Sequence, residues 1–121
     1  MSEKTGPGKP DRYIQPSILM SLLGGESYGY EMLQQIGEYG FIKGDAPPGM
    51  IYRHLRQMED DQLVQSRWEA EGTGPARRVY AITPAGREEL EAWIDYMRRH
   101  AKTLTDFVER YAGLLQEKNQ E

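Results

Sequence analysis

The fold turns on the stretch Ala46–Val64, APPGMIYRHLRQMEDDQLV. Two prolines and a glycine open it. Apolar residues follow at Ile51, Leu55 and Met58, and a turn then leads into a strand. Spacings of four and three put those three side chains on one stripe of a helix. With Ile51 as reference and about 100° per residue, Gly49, Arg53, Arg56 and Asp60 fall on the far side. Met50 and Gln57 lie beside them and Tyr52 sits on the flank. One face of this helix is built to be buried, and the other is guanidinium, amide and aromatic. Its first turn is rich in proline and glycine, so backbone N–H groups there can approach phosphate closely. A helix inserted in a DNA major groove needs those three properties. An ordinary amphipathic helix with solvated charges is the plainer alternative.

On the N-terminal side of this stretch, Phe41–Pro48 is a turn. Ser27–Gly40 before it reads as a helix with Ser27 as N-cap and Gly40 as stop, Met32, Leu33 and Ile36 facing inward. Glu31 lies one residue too late for a regular capping box with Ser27. Gly29 between Tyr28 and Tyr30 suggests a close helix approach, and the two tyrosines suit either the core or a phosphate contact. Tyr13–Gly25 reads as a first helix, with Pro16 near its first turn and Ile18, Leu19, Leu22 and Leu23 as its core face. Residues 1–12, MSEKTGPGKPDR, are polar and rich in Pro and Gly, as expected of a disordered tail. Lys4, Lys9 and Arg12 could instead make a basic arm, diluted by Glu3 and Asp11.

On the C-terminal side, Leu63–Ala70 alternates Val64, Ser66 and Trp68 with Gln65, Arg67 and Glu69, a strand period of two. EGTGPA then marks a turn of about six residues, and Arg77–Ile82 is the returning strand. Helix, helix, turn, helix and hairpin make a winged helix-turn-helix, a mainly α architecture of the α+β class. Thr83 and Pro84 start a last helix with a good N-cap and a good first residue. Its residues Leu90, Ile94, Met97, Ala101, Leu104, Val108, Tyr111 and Leu115 recur at alternating spacings of four and three, a heptad seam. One small domain cannot cover a stripe of that length, so a second copy of the helix is the simplest partner. A bend near Arg98–Lys102, folding the first half back on its own head, is the alternative. The expected organisation is a tail at 1–12, a winged head at 13–83, a dimerisation helix at 84–115 and a polar tail at 116–121.

Composition narrows the function. The 121 residues carry a net charge of −4, which argues against a generic nucleic-acid binder. The charge is unevenly spread. Residues 1–42 hold three basic and five acidic side chains, 43–80 six of each, and 81–121 six and eight. A local cationic face in the middle third can still bind DNA. There are no cysteines, hence no thiol chemistry and no disulfide framework. The longest apolar stretch, Ile18–Leu23, is too short to cross a membrane, and the N-terminus has no signal-like apolar region. A cytoplasmic protein is expected. No Walker loop, metal-ligand spacing or nucleophile motif occurs, and His54 and His100 lie on different helices. No enzyme, metal or cofactor is therefore expected.

Three pieces of the chain resemble the PadR-type transcriptional regulators. They are Tyr28-Gly29-Tyr30-Glu31, then Pro48-Gly49-Met50-Ile51-Tyr52-Arg53 with Leu55 and Met58-Glu59, and then Gly74-Pro75-Ala76-Arg77-Arg78-Val79-Tyr80-Ala81-Ile82-Thr83-Pro84-Ala85-Gly86. The third is the most specific, and the resemblance spans about residues 16–104. The single long C-terminal helix is similar to the short-tailed branch. GPARR and DFVERYAG are similar to the polyhydroxybutyrate-responsive repressors within it. The resemblance implies a homodimeric repressor with its two heads on a pseudo-palindromic operator, released by a small molecule or another signal. Two positions depart from the family's pattern. Met50 stands where the family has Thr and cannot cap the helix or bond phosphate, although it can meet a thymine methyl. Gln62 stands where the family has Gly, so the turn before the wing is expected to differ.

The residues then divide by role. Arg53, Arg56 and Gln57 are the candidate base or phosphate contacts of the third helix. Tyr52 and the N–H groups of Gly49 and Met50 are candidate phosphate holders. Thr73 at the wing tip and Arg77 and Arg78 at its base would track the backbone or minor groove. Trp93, Tyr96 and Met97 are candidates for a flat apolar effector, or else interface core. The rival function is a dimeric winged-helix module that binds another protein and ignores DNA.

Overall fold

The computed structural model describes residues 12–70, 72 and 74–120. Residues 1–11 of the expected tail, and Thr73, lie outside the described residues. The elements are α1 (Ile14–Ser21), β1 (Ser27–Tyr28), α2 (Gly29–Glu38), α3 (Pro48–Asp60), β2 (Val64–Glu69), β3 (Arg77–Ile82) and α4 (Pro84–Asn119). This is a winged helix-turn-helix followed by a long C-terminal helix. The chain divides after Leu90 into a winged head and a second unit that carries the rest of α4.

The core of the head is the meeting of the stripes read from the sequence. Ile14, Ile18, Leu19 and Leu22 come from α1 and its end, Met32 and Ile36 from α2, and Ile51, Leu55 and Met58 from α3. Val64 of β2 joins them, and all ten are essentially inaccessible. Truncating one of them to Ala removes a buried side chain and leaves a cavity, a loss of about 2–5 kcal/mol. Leu23, expected in the core, is instead exposed. The helix ends at Ser21, so Leu23 leaves the stripe that buries Leu22.

Ser27 is not a helix cap. It forms β1 with Tyr28, pairing Ser27 with Tyr80 and Tyr28 with Val79. The sheet is therefore three-stranded and antiparallel, in the order β1-β3-β2. Two residues are too few to display a period of two, so the strand carries no pattern of its own. The helix start moves one position, and Glu31 falls at its third residue. There its carboxylate accepts the Tyr28 backbone N–H at 3.0 Å and the Ser27 hydroxyl at 3.2 Å. Gly40, at φ +92°, stops α2 as its position suggested.

The turn after α3 keeps the left-handed form that Gln62 was expected to alter. Gln62 has φ +64°. Its N–H donates to the Glu59 carbonyl at 3.0 Å, and the Leu63 N–H donates to the Met58 carbonyl at 2.9 Å. Those two bonds are the Schellman closure of a helix end. The start of α4 docks on this turn. The Thr83 hydroxyl donates to the Gln62 carbonyl at 2.7 Å and accepts the Gly86 N–H at 3.0 Å, while the Thr83 N–H donates to the Leu63 carbonyl at 3.1 Å. Gly86 is buried there, and a Cβ on it would overlap the Leu63 carbonyl and lie 2.8 Å from Ile82 Cγ1. The Thr-Pro-x-Gly run is thus a joint between α3, β3 and α4. From that joint α4 is helical without interruption to Asn119, through Arg98–Lys102 and four residues past the expected end at Leu115.

Candidate nucleic-acid interface

The entry to α3 follows from its prolines. Pro47 is extended, with ψ 128°, and Pro48 takes the first helical position, where no intrahelical N–H bond is required. Gly49 is exposed and Met50 half-buried. Past them the far side of the helix carries Arg53, Arg56 and Gln57, all exposed. They share one groove of about 360 Å³ with Gln15 of α1, His54 and Asp60. Gln57 donates to Asp61 at 3.2 Å, and Gln15 Nε2 lies 3.2 Å from His54 Nδ1. The sequence signalled the α3 residues of this groove. Gln15 had no signal, because only packing brings α1 beside His54.

The Tyr52 ring packs on Gly29 of α2. A Cβ on Gly29 would come within 2.6 Å of Tyr52 Cε1 and 2.8 Å of its hydroxyl. The close helix approach suggested by Gly29 is therefore that of the Tyr52 ring, which remains partly exposed.

The wing base is tied down on both faces. On the face toward α3, Ser66 donates to Glu59 at 2.7 Å, Arg78 Nε donates to Ser66 at 2.9 Å, and Arg78 Nη2 lies 3.5 Å from Glu59. Arg78 also stacks over Trp68, its partner across the strands, at 5.3 Å. Tyr80 on this face is buried, and burial pushes its hydroxyl pKa up. Arg78, Glu59, Tyr52 and Arg56 also act on that hydroxyl. On the opposite face, the Tyr28 hydroxyl donates to Glu69, and Tyr28 stacks on Tyr30 at 5.6 Å. Arg77 lies 5.6 Å from the Tyr28 ring and 5.9 Å from that of Tyr30, and donates to the Tyr30 hydroxyl at 3.2 Å. Arg67 pairs with Glu26 at 2.6 Å and Glu69 at 3.3 Å. The hydrogen bond from Tyr28, and then that from Arg67, hold the Glu69 carboxyl below the ordinary glutamate range. So Arg77 and Arg78 brace the wing on opposite faces. Trp68 departs from its strand pattern. Val64 is buried and Ser66 half-buried, but Trp68 is 63% exposed, because the hairpin runs beyond the core.

On α4, Leu90 is buried and Ile94 and Met97 are half-buried. From Ala101 onward the seam is exposed, with Leu104, Val108, Tyr111 and Leu115 joined by Phe107 and Leu114. Trp93 meets Tyr96 edge to face at 5.9 Å, and Tyr96 stacks on His100 at 5.8 Å.

Residues 18–92 match the transcriptional regulator PadR-like family. The chain belongs to that family. It is 36% identical over 78 residues to a probable transcriptional regulator of Mycobacterium tuberculosis, Rv1176c, covering 64% of this chain and 41% of that protein. It is 28% identical over 83 residues to the negative transcriptional regulator PadR of Bacillus subtilis, covering 69% and 46%. The chain thus spans less than half the length of these two relatives. A PadR family transcription regulator from Clostridium difficile superposes with TM-score 0.70 at 28% identity, over 79% of this chain and 98% of that one. The Bacillus subtilis PadR, solved in complex with operator DNA, superposes with TM-score 0.61 at 28% identity, over 70% and 48%. Among the described residues, no helix is long and apolar enough to cross a membrane.

Proposed function

We propose that this PadR-like chain is a DNA-binding transcriptional regulator, acting as a homodimeric repressor. The observation that carries the reading is the exposed Arg53, Arg56 and Gln57 on one face of a helix whose opposite face is core. Arginine bidentate to guanine is the commonest specific contact, with a discrimination of about 1–3 kcal/mol. Gly49, Met50 and Tyr52 are the phosphate-facing residues at the start of that helix. Arg78 extends the proposed interface along the wing on the face toward α3, and Arg77 at the wing base is the proposed contact with the flanking backbone. The operator complex of the Bacillus subtilis relative supports a duplex as ligand, and that relative's name supports repression.

The homodimer reading rests on the exposed seam from Ala101 to Leu115, which a second α4 would cover. Two-fold symmetry then sets half-sites about 10 bp apart or a multiple of that. Trp93, Tyr96 and Met97 are the proposed seat of an effector with a flat apolar body, because aromatic and thioether surfaces suit such ligands.

The test is binding to duplex from the chain's own upstream region, titrated against salt, beside an Arg53→Ala/Arg56→Ala variant. Nanomolar affinity that falls steeply with salt and collapses in the variant is the expected result. A dimer that binds no duplex at low salt, and recovers no fragment from a genome-wide selection, would leave the protein-interaction module standing instead.

A further inference from the structure

We infer that Trp68 is a DNA contact of the wing, its indole packing on the sugar edge of the backbone strand beside the groove that α3 enters. The inference rests on the DNA-binding reading above.

Trp68 is the most exposed of the large hydrophobic residues of the winged head, at 63% against 52% for Tyr30 and 37% for Tyr52. Exposure alone is ordinary for a single apolar residue. Its neighbours make it specific. Arg78 stacks on the indole at 5.3 Å, and two atoms of the same guanidinium are held by Ser66 and Glu59. The indole therefore stacks on a cation that has two polar partners of its own.

The face matters as much as the exposure. Trp68, Ser66, Arg78 and Tyr80 lie on one side of the hairpin, and that side meets α3 through Glu59. A row thus leads from Glu59 of the proposed reading helix, through Ser66 and Arg78, to Trp68. On the other side of the hairpin Arg67, Glu69 and Arg77 are engaged at the surface with Glu26, Tyr28 and Tyr30. A duplex lying against α3 meets Trp68 and Arg78 first. The chemistry matches. A deoxyribose offers C–H groups that an indole can cover, and the stacked guanidinium places a positive charge beside the adjoining phosphate.

The full chain labelled with 5-fluorotryptophan gives one resonance for Trp68 and one for Trp93, its two tryptophans. The spectrum of Trp68→Phe assigns them. Saturation with upstream duplex of about three helical turns is expected to shift the Trp68 resonance. Trp68→Ala is expected to lower affinity about tenfold. The salt slope stays unchanged, because an indole displaces no counterion. Trp68→Phe recovers most of the affinity. A Trp68 resonance unmoved by saturating duplex, or an Ala variant within about twofold of wild type, overturns the inference. A salt slope reduced by about one unit overturns it too, since the weakening would then come from the Arg78 charge and not from the indole. If wild type and Arg53→Ala/Arg56→Ala alike bind no duplex at low salt, the DNA-binding reading itself has failed and Trp68 falls with it.

Discussion

Gln62 is the one non-glycine among the described residues with positive φ. A left-handed backbone costs a residue with a Cβ about 1–2 kcal/mol. Gln62→Gly removes that cost but loosens the unfolded chain, which offsets about half of it. The expected net is a gain of about 0.5–1 kcal/mol in thermal or urea melts, with the same duplex affinity. Gly86→Ala is expected to act in the opposite direction. Alanine favours a helix over glycine by about 1 kcal/mol, but the new Cβ meets the Leu63 carbonyl and Ile82. Overpacking of this kind costs about 1–3 kcal/mol, and backbone cannot move aside as a side chain tip does. The melt should therefore shift downward. The letters Thr83-Pro84-Ala85-Gly86 were legible as a signature. Their reason was not, because the Leu63 carbonyl that excludes a methyl group is brought there only by folding.

The elements differ in how far the sequence reveals them. Helix α3 is legible from its period, since a buried stripe and a charged far side impose it locally. The wing is legible as two β-prone runs around a glycine-rich turn. What fastens it is not, because Tyr28 and Glu69 are 41 positions apart and meet only once β1 joins the sheet. The bond between them has a measurable consequence. Glu69 lies below the ordinary glutamate range, chiefly through the Tyr28 hydroxyl and then through Arg67. A depressed carboxylate stabilises the fold above its unfolded pKa and loses that contribution as pH falls through the lower, folded value. The wing brace should thus survive acidification past the ordinary glutamate range. Tyr28→Phe should move the Glu69 midpoint upward in a carboxyl-carbon NMR titration, and an unmoved midpoint would show that Tyr28 is not its main partner. On the other face, Glu59→Gln should release Arg78 from a half-exposed pair worth at most about 1 kcal/mol. Duplex affinity should then rise and its salt dependence steepen by up to about one counterion.

For the molecule as a whole, the long helix poses the largest question. The residues from Leu104 to Leu115 that continue its heptad are exposed in the single chain. Leu104→Glu/Val108→Glu puts charge into the proposed seam. The expected outcome is a monomer in analytical ultracentrifugation, with a head that melts as before. Operator affinity should fall about 100-fold or more, because the second head no longer binds at the effective concentration set by the first. A dimer that persists with full affinity would place the interface elsewhere.

The order of three helices and a hairpin, the faces of α3 and the heptad on α4 are all written in the sequence. These are local properties: hydrophobic period, caps and turn residues act over one or two turns of chain. Folding alone settled which strand completes the sheet, why Gln62 can stand in a left-handed turn, and where the wing arginines point. Arg77 turns to Tyr28 and Tyr30, Arg78 to Glu59, Ser66 and Trp68, although the two are neighbours in sequence. Alternation along a strand puts adjacent side chains on opposite faces, but what each face meets depends on residues ten to fifty positions away. Those partners are chosen by packing, and no local pattern encodes them.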